Sequence, residues 1–160
     1  MSGSFTLHQL GPNEATRFEN WLRLFGDVFE EQGTYTAAMP GRAYREELLN
    51  DKNFIALAAL DKDAPEKIIG GLAAYVLPKF ERERSEVYIY DLAVDAARRR
   101  EGIATALIEA LKPLARARGA HVIFVQADYG DDAAIALYTK LGVREEVLHF
   151  DIEVYENYSQ

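Results

Sequence analysis

Tyr90-Asp91-Leu92-Ala93-Val94-Asp95-Ala96-Ala97-Arg98-Arg99-Arg100-Glu101-Gly102-Ile103-Ala104-Thr105-Ala106-Leu107 joins the end of an apolar strand to the start of a helix through a short basic loop. A helix N-terminus offers unpaired backbone N–H groups and the positive end of the helix dipole, which suits a pyrophosphate. Gly102 and the small Ala104 let an anion come close to the backbone. Arg98, Arg99 and Arg100 crowd positive charge at that same end, where arginine opposes the dipole unless an anion is bound. A solvated basic loop is the plainer reading of the same residues. No Lys-Ser or Lys-Thr follows the glycine and three spaced glycines are missing, so neither common nucleotide-loop signature applies.

Working outward, the spacing predicts the order β-α-α-β-β-β-α-β-α-β. Phe5 to Leu10 alternates as a first strand, closed by Gly11-Pro12. Phe18, Trp21, Leu22, Phe25, Val28 and Phe29 recur at helical spacing, and Tyr44, Leu48 and Leu49 suggest a short second helix. Phe54 to Leu60 and Ile68 to Leu77 form a hairpin pattern, and Ser85 to Val94 is a third strong strand. Gly102 to Arg118 reads as a helix that Pro113 should kink or weaken. His121 to Ala127 reads as a buried strand, Asp131 to Leu141 as a helix, and Val147 to Val154 as a closing strand. Consecutive strands pair antiparallel and a strand-helix-strand unit crosses over in parallel, so the fold class is α/β (α+β): a mixed, mostly antiparallel sheet with helices on both faces. Residues 1-160 read as a single domain.

The net charge of −8 argues against nucleic acid or a membrane surface as partner and permits a cationic ligand. With no cysteine, a thiolate metal site and a cysteine nucleophile are excluded. His8, His121 and His149 are scattered and make no ligand set, so no metal is expected. No apolar run is long enough to span a bilayer, and Met1-Ser2-Gly3-Ser4 lacks a signal pattern, which leads to a cytoplasmic expectation.

Arg99-Arg100-Glu101-Gly102-Ile103-Ala104 resembles the Arg/Gln-x-x-Gly-x-Gly/Ala signature of the GNAT superfamily of N-acetyltransferases. Ala136-Leu137-Tyr138-Thr139-Lys140-Leu141-Gly142 is similar to the superfamily's second signature. Within it, Tyr88-Ile89-Tyr90-Asp91-Leu92-Ala93-Val94, Val125-Gln126-Ala127-Asp128-Tyr129-Gly130-Asp131-Asp132 and His149-Phe150-Asp151-Ile152 look like the type I aminoglycoside 3-N-acetyltransferases. The likeness runs over about residues 5 to 152 and departs from the family in the first helix, in the Ala64 to Lys67 turn and in the tail from Val154 to Gln160.

The resemblance implies acetyl-CoA as co-substrate, lying where two parallel strands splay. Its pyrophosphate would meet Arg99, Arg100, Gly102, Ile103 and Ala104, with a hydroxyl from Thr105. Leu92, Ala93 and Val94 would pair with the pantetheine, and an N–H near Val94 would polarise the thioester carbonyl. Attack requires a neutral amine, so a carboxylate should attract the ammonium and then take its proton. Asp91 is the expected base, since a carboxylate inside so apolar a run is costly to bury without a use. Glu86 is the alternate base. A structural role for Asp91 is the competing reading. Tyr138 matches the residue that would protonate the departing thiolate, although its spacing suits packing equally. Tyr90, Asp91, Asp128, Tyr129, Asp131, Asp132 and Asp151 are the acceptor-binding candidates, against a reading in which Asp131 caps a helix and the others solvate a loop. The expected partner is an aminoglycoside or a polyamine, and the family suggests a homodimer. A non-catalytic acyl-CoA sensor is the reading from another class.

Overall fold

The computed structural model describes residues 3–155. The elements are β1 (Phe5–Gln9), α1 (Ala15–Phe29), α2 (Gln32–Tyr35), α3 (Arg42–Asn50), β2 (Phe54–Asp61), β3 (Ile68–Pro78), β4 (Ser85–Val94), α4 (Ile103–Ala117), β5 (Ala120–Val125) and α5 (Asp132–Leu141). A single 3-10 turn, Ala96–Arg98, lies between β4 and α4. They fall into two compact units that divide after Gln126.

In the first unit the sheet order is β1-β2-β3-β4-β5. The first four strands are mutually antiparallel, and β4 and β5 are parallel across the α4 connection. This is the mixed, mostly antiparallel sheet that the pattern implies. Two helices reach β3 from opposite faces because that strand carries two glycines in a row. A Cβ on Gly71 would stand 2.8 Å from Trp21 Nε1 of α1, and one on Gly70 would stand 2.6 Å from Ile103 Cγ2 of α4. Trp21 is fixed there by donating from Nε1 to the Leu57 carbonyl at 2.8 Å. Around it Phe18, Phe25, Phe54, Ala56 and Ala73 form the apolar cluster of the α1 face.

Helix α4 continues through Pro113 as one element. Pro113 and Glu109, whose carbonyl loses its partner, both lie on the exposed side, where water can replace the missing bond. Two expectations are corrected. First, β5 is not the buried strand expected: it ends the sheet of the first unit, with Val122 exposed and Ile123 to Val125 half-buried. Second, Val147 to Val154 forms no strand, and residues 143–155 hold no regular element. Alternation supplies a face, but a strand also requires a ladder. An unexpected element is α2, a single turn in which the Gln32 carbonyl accepts from both the Thr36 and the Ala37 N–H.

The second unit, from Ala127, contains α5. Asp131 caps it by accepting from the Ala134 N–H at 3.1 Å, and Asp132 lies in its first turn, where a carboxylate favours the dipole.

Candidate active site

The parallel pair is short. β4 matches β5 from Ser85↔Ala120 to Ile89↔Val125, and there the ladder stops. Beyond it, Asp91 to Val94 are bonded only to β3, at Ala73 to Gly70. Among the described residues, the other edge of Leu92, Ala93 and Val94 therefore has no strand paired with it. An extended amide chain can pair with such an edge as another strand would.

The strand also changes phase at this point. Ala73 pairs with Asp91 while Ala74 pairs with Ile89, so Tyr90 is a surplus residue in a β-bulge. Strict alternation would place Tyr90 and Asp91 on opposite faces of the sheet. The bulge instead brings both to the α1 face, where Tyr90 meets Tyr75 and Asp91 meets Tyr35. Bulges next to functional sites re-aim side chains in this manner.

Tyr35 is the residue that sequence reading missed. Its hydroxyl donates to Asp91 Oδ2 at 2.9 Å. The ring is locked against two aromatics of α1, with centroids 5.9 Å from Phe25 and 5.9 Å from Phe29. Burial raises the Asp91 carboxyl above the ordinary aspartate range, the Tyr35 hydrogen bond draws it down, and the Glu31 charge raises it further. Burial and the Asp91 charge push the Tyr35 hydroxyl far up, so it serves as a donor at every working pH. A half-buried carboxylate with a raised pKa and one oxygen held in place has the properties of a base. Only the aromatic character of Tyr35 and its place just after α1 could have hinted at this role; its partner is 56 residues away.

Glu86 stands elsewhere on β4, ~15 Å of strand from Asp91 at five residues' rise. It lies 3.6 Å from Lys79 Nζ and 3.7 Å from His121 Nε2.

The basic loop divides its arginines between two tasks. Arg98 is consumed internally: its guanidinium reaches Asp61 and Glu101 at 2.6 Å each and the Ser4 hydroxyl at 2.8 Å. Arg99 and Arg100 are exposed, with Arg100 in the left-handed region at φ 67. Gly102 opens α4 at φ 80, and no side chain caps the helix. The space where its Cβ would stand is empty to 4 Å. Uncapped N–H donors, an open approach and two arginines fit the pyrophosphate of a coenzyme A. Ile103 is buried beneath the loop as an anchor, Ala104 is half-buried and Thr105 is exposed.

In the second unit Tyr138 is half-buried on α5, and its carbonyl accepts from Gly142 N–H at 2.9 Å. Asp128 and Tyr129 lie in the exposed turn before α5. Asp151 meets His149 Nε2 at 2.9 Å. Among the described residues, no group of three or more His, Asp and Glu could hold a metal ion, and no helix is long and apolar enough to cross a membrane.

A bulged strand parting from its parallel neighbour, followed by a basic loop and an uncapped glycine-led helix, defines an acyl-CoA-dependent transferase fold. Residues 16–143 match the model of the acetyltransferase (GNAT) family, and the chain belongs to that family. It is similar to the crystal structure of an aminoglycoside acetyltransferase from an uncultured soil metagenomic sample, with a TM-score of 0.91 and 60% identity over 95% of this chain and 99% of that one. A second aminoglycoside acetyltransferase from an uncultured soil metagenomic sample, solved in complex with sisomicin, gives a TM-score of 0.85 and 34% identity over 95% of this chain and 97% of that one. No curated protein matches the chain by sequence.

Proposed function

We propose that this acetyltransferase moves an acetyl group from acetyl-CoA to the 3-amino group of aminoglycosides, acting in the cytoplasm as a homodimer and conferring antibiotic resistance by modification. The observation that carries the reading is Asp91, half-buried, held by Tyr35 and set beside the open edge of β4. The 60% identity to a metagenomic aminoglycoside acetyltransferase supports the acceptor class, and the type I motifs support the position acetylated.

The chemistry assigns each group one task. Gly102, Ile103 and Ala104, with Arg99, Arg100 and Thr105, hold the pyrophosphate. Leu92 to Val94 align the pantetheine, and an N–H near Val94 stabilises the oxygen that gains charge during attack. Asp91 draws the acceptor's ammonium in and takes one proton, directly or through a water. The freed nitrogen lone pair forms the C–N bond, the C–S bond breaks, Tyr138 donates its hydroxyl proton to the departing sulfur, and the second proton shed by the nitrogen as it becomes an amide passes through solvent to restore the Tyr138 hydroxyl. Asp128, Tyr129, Asp132 and Asp151 contribute to holding the remaining ammonium groups. Asp131 does so only in addition to capping α5.

The test is product analysis. Sisomicin and gentamicin are incubated with acetyl-CoA, and the acetylated nitrogen is located by NMR. We expect the 3-amino group alone to be modified. Acetylation at another amine overturns the regiochemistry, and acetylation of spermidine in preference to both antibiotics overturns the acceptor class.

A further inference from the structure

The bulge gathers more than a base. Four rings form a continuous row across the strands on the α1 face: Tyr75 of β3, Tyr90 and Tyr88 of β4, and Phe124 of β5. Tyr90 stands nearly upright between its neighbours. Its centroid is 5.7 Å from Tyr75 at an interplanar angle of 84°, and 5.8 Å from Tyr88 at 74°. Tyr88 in turn lies flat on Phe124, 4.8 Å away at 9°, and donates its hydroxyl to Gln126. The row is anchored at its other end, where Tyr75 packs 5.2 Å from the buried Phe54.

Such a row is expensive to leave in water. Tyr90 is 61% exposed and Tyr75 is 37% exposed, although β-strands in a core normally bury rings of this size. Two rings meeting near a right angle make a corner with one aromatic floor and one aromatic wall. The Asp91 carboxylate opens at its edge, one residue along the chain from the wall. Glu31 adds a second negative charge that reaches Asp91. Burial raises the Tyr75 and Tyr88 hydroxyl pKa values, with Tyr44, Tyr90 and Asp91 adding to the rise at Tyr75 and Tyr90 and Asp91 at Tyr88.

The combination selects a chemistry. An aromatic face is electron-rich and packs against the C–H bonds of a saturated ring. Carboxylates bind ammonium groups. A rigid saturated ring that carries its own amines lays a broad C–H face on the aromatic rings while an amine reaches the carboxylate, whereas a flexible chain of amines has no such face and is held chiefly by charge.

We propose that Tyr75, Tyr88 and Tyr90 form a corner that seats the amine-bearing saturated ring of the acceptor and thereby sets specificity for amino-sugars over linear polyamines. The inference rests on the aminoglycoside reading above and adds the feature that distinguishes the two acceptor classes. The ring lies against Tyr90 with its reactive amine at Asp91. Tyr75 and Tyr88 contribute face or edge according to the ring's tilt.

The experiment measures KM for sisomicin and for acetyl-CoA in the wild type, Tyr90→Leu and Tyr90→Phe, with the melting temperature of each. Tyr75→Leu and Tyr75→Phe provide the second pair. Spermidine is run as an inhibitor against sisomicin. Each leucine variant should raise the KM for sisomicin by about 2- to 12-fold, the range of an aromatic face contact. The KM for acetyl-CoA should stay within about twofold, and each phenylalanine variant should restore sisomicin to near the wild-type value. The spermidine inhibition constant should not change between wild type and Tyr90→Leu. Absence of spermidine inhibition in both leaves the KM comparison to decide alone. An unchanged sisomicin KM in both leucine variants overturns the proposal. So does a parallel rise for spermidine, or failure of the phenylalanine variants to rescue. A wild type that acetylates neither sisomicin nor gentamicin overturns the acceptor reading itself, an outcome distinct from an active enzyme indifferent to Tyr90.

Discussion

At the scale of single residues the site turns on one hydrogen bond. Asp91→Asn keeps the shape and removes the base, so kcat/KM for the amine should fall by roughly 10²–10⁴, with the smallest loss at high pH, where solvent deprotonates more of the acceptor. Because the carboxyl's pKa is raised on folding, the native state holds its proton more tightly than the unfolded chain. Its effect on stability therefore becomes unfavourable as pH climbs from the ordinary aspartate value through the raised one, and remains so at neutral pH. Asp91→Asn should consequently melt at or above the wild-type temperature at pH 7 and gain nothing at pH 3. A clear loss of stability at pH 7 would make Asp91 a structural residue. Tyr35→Phe keeps the stack on Phe25 and Phe29 but deletes the donor that lowers the Asp91 pKa. The acid limb of kcat/KM should then move to higher pH, with little change at the alkaline end; an unmoved limb would separate Tyr35 from the base. Asp91 was conspicuous in the sequence as a charge inside an apolar run. Tyr35 was not, since nothing local announces a partner so distant along the chain.

At the scale of elements, strand and helix phases were readable and their relations less so. The patterns place β4 and the start of α4 within a residue of where they form, because Val, Ile and Tyr alternate and Gly102 marks the turn. The bulge at Tyr90 left no trace, as one surplus residue looks like ordinary strand. The basic loop read as three equivalent arginines, yet Asp61, Glu101 and Ser4 claim Arg98. This sharpens a test of the loop. Arg99→Ala with Arg100→Ala should weaken coenzyme A binding, measured by calorimetry, without lowering the melting temperature. Arg98→Ala should instead lower the melting temperature, because it leaves two carboxylates facing one another. The glycine pair of β3 gives another check. Gly70→Ala and Gly71→Ala should each cost about 1–3 kcal/mol in urea unfolding, the usual range for overpacking a core. The Ile103 and Trp21 side chains they would strike are both buried. On α5, Tyr138→Phe should reduce kcat with little change in melting if its hydroxyl serves the thiolate, and full activity would leave it a packing residue.

At the scale of the whole molecule, a chain of net charge −8 acts on a proposed substrate of several positive charges. Raising sodium chloride from about 50 to 500 mM should therefore increase the KM for sisomicin severalfold through screening, with a smaller effect on the leucine-to-wild-type ratio at Tyr90. An unchanged KM would remove long-range charge from acceptor recognition. Fold class was legible at this scale because element order limits a mixed sheet to few topologies. The segment after Gly142 was not, since alternation without a ladder is only a pattern. The bulge carries one consequence for how such a chain can change by insertion and deletion. With Tyr90 removed, Tyr88, Asp91 and Ala93 would alternate without interruption against Ile89 and Leu92, so β4 would become a regular strand with every core side chain still in phase. The frame of the fold and the contour of the proposed acceptor corner thus differ by a single codon: loss of that triplet would leave a foldable protein with the upright ring missing, and its recovery would restore the ring without disturbing the rest. Substrate range can therefore drift here in whole-residue steps, on a scaffold that does not register them.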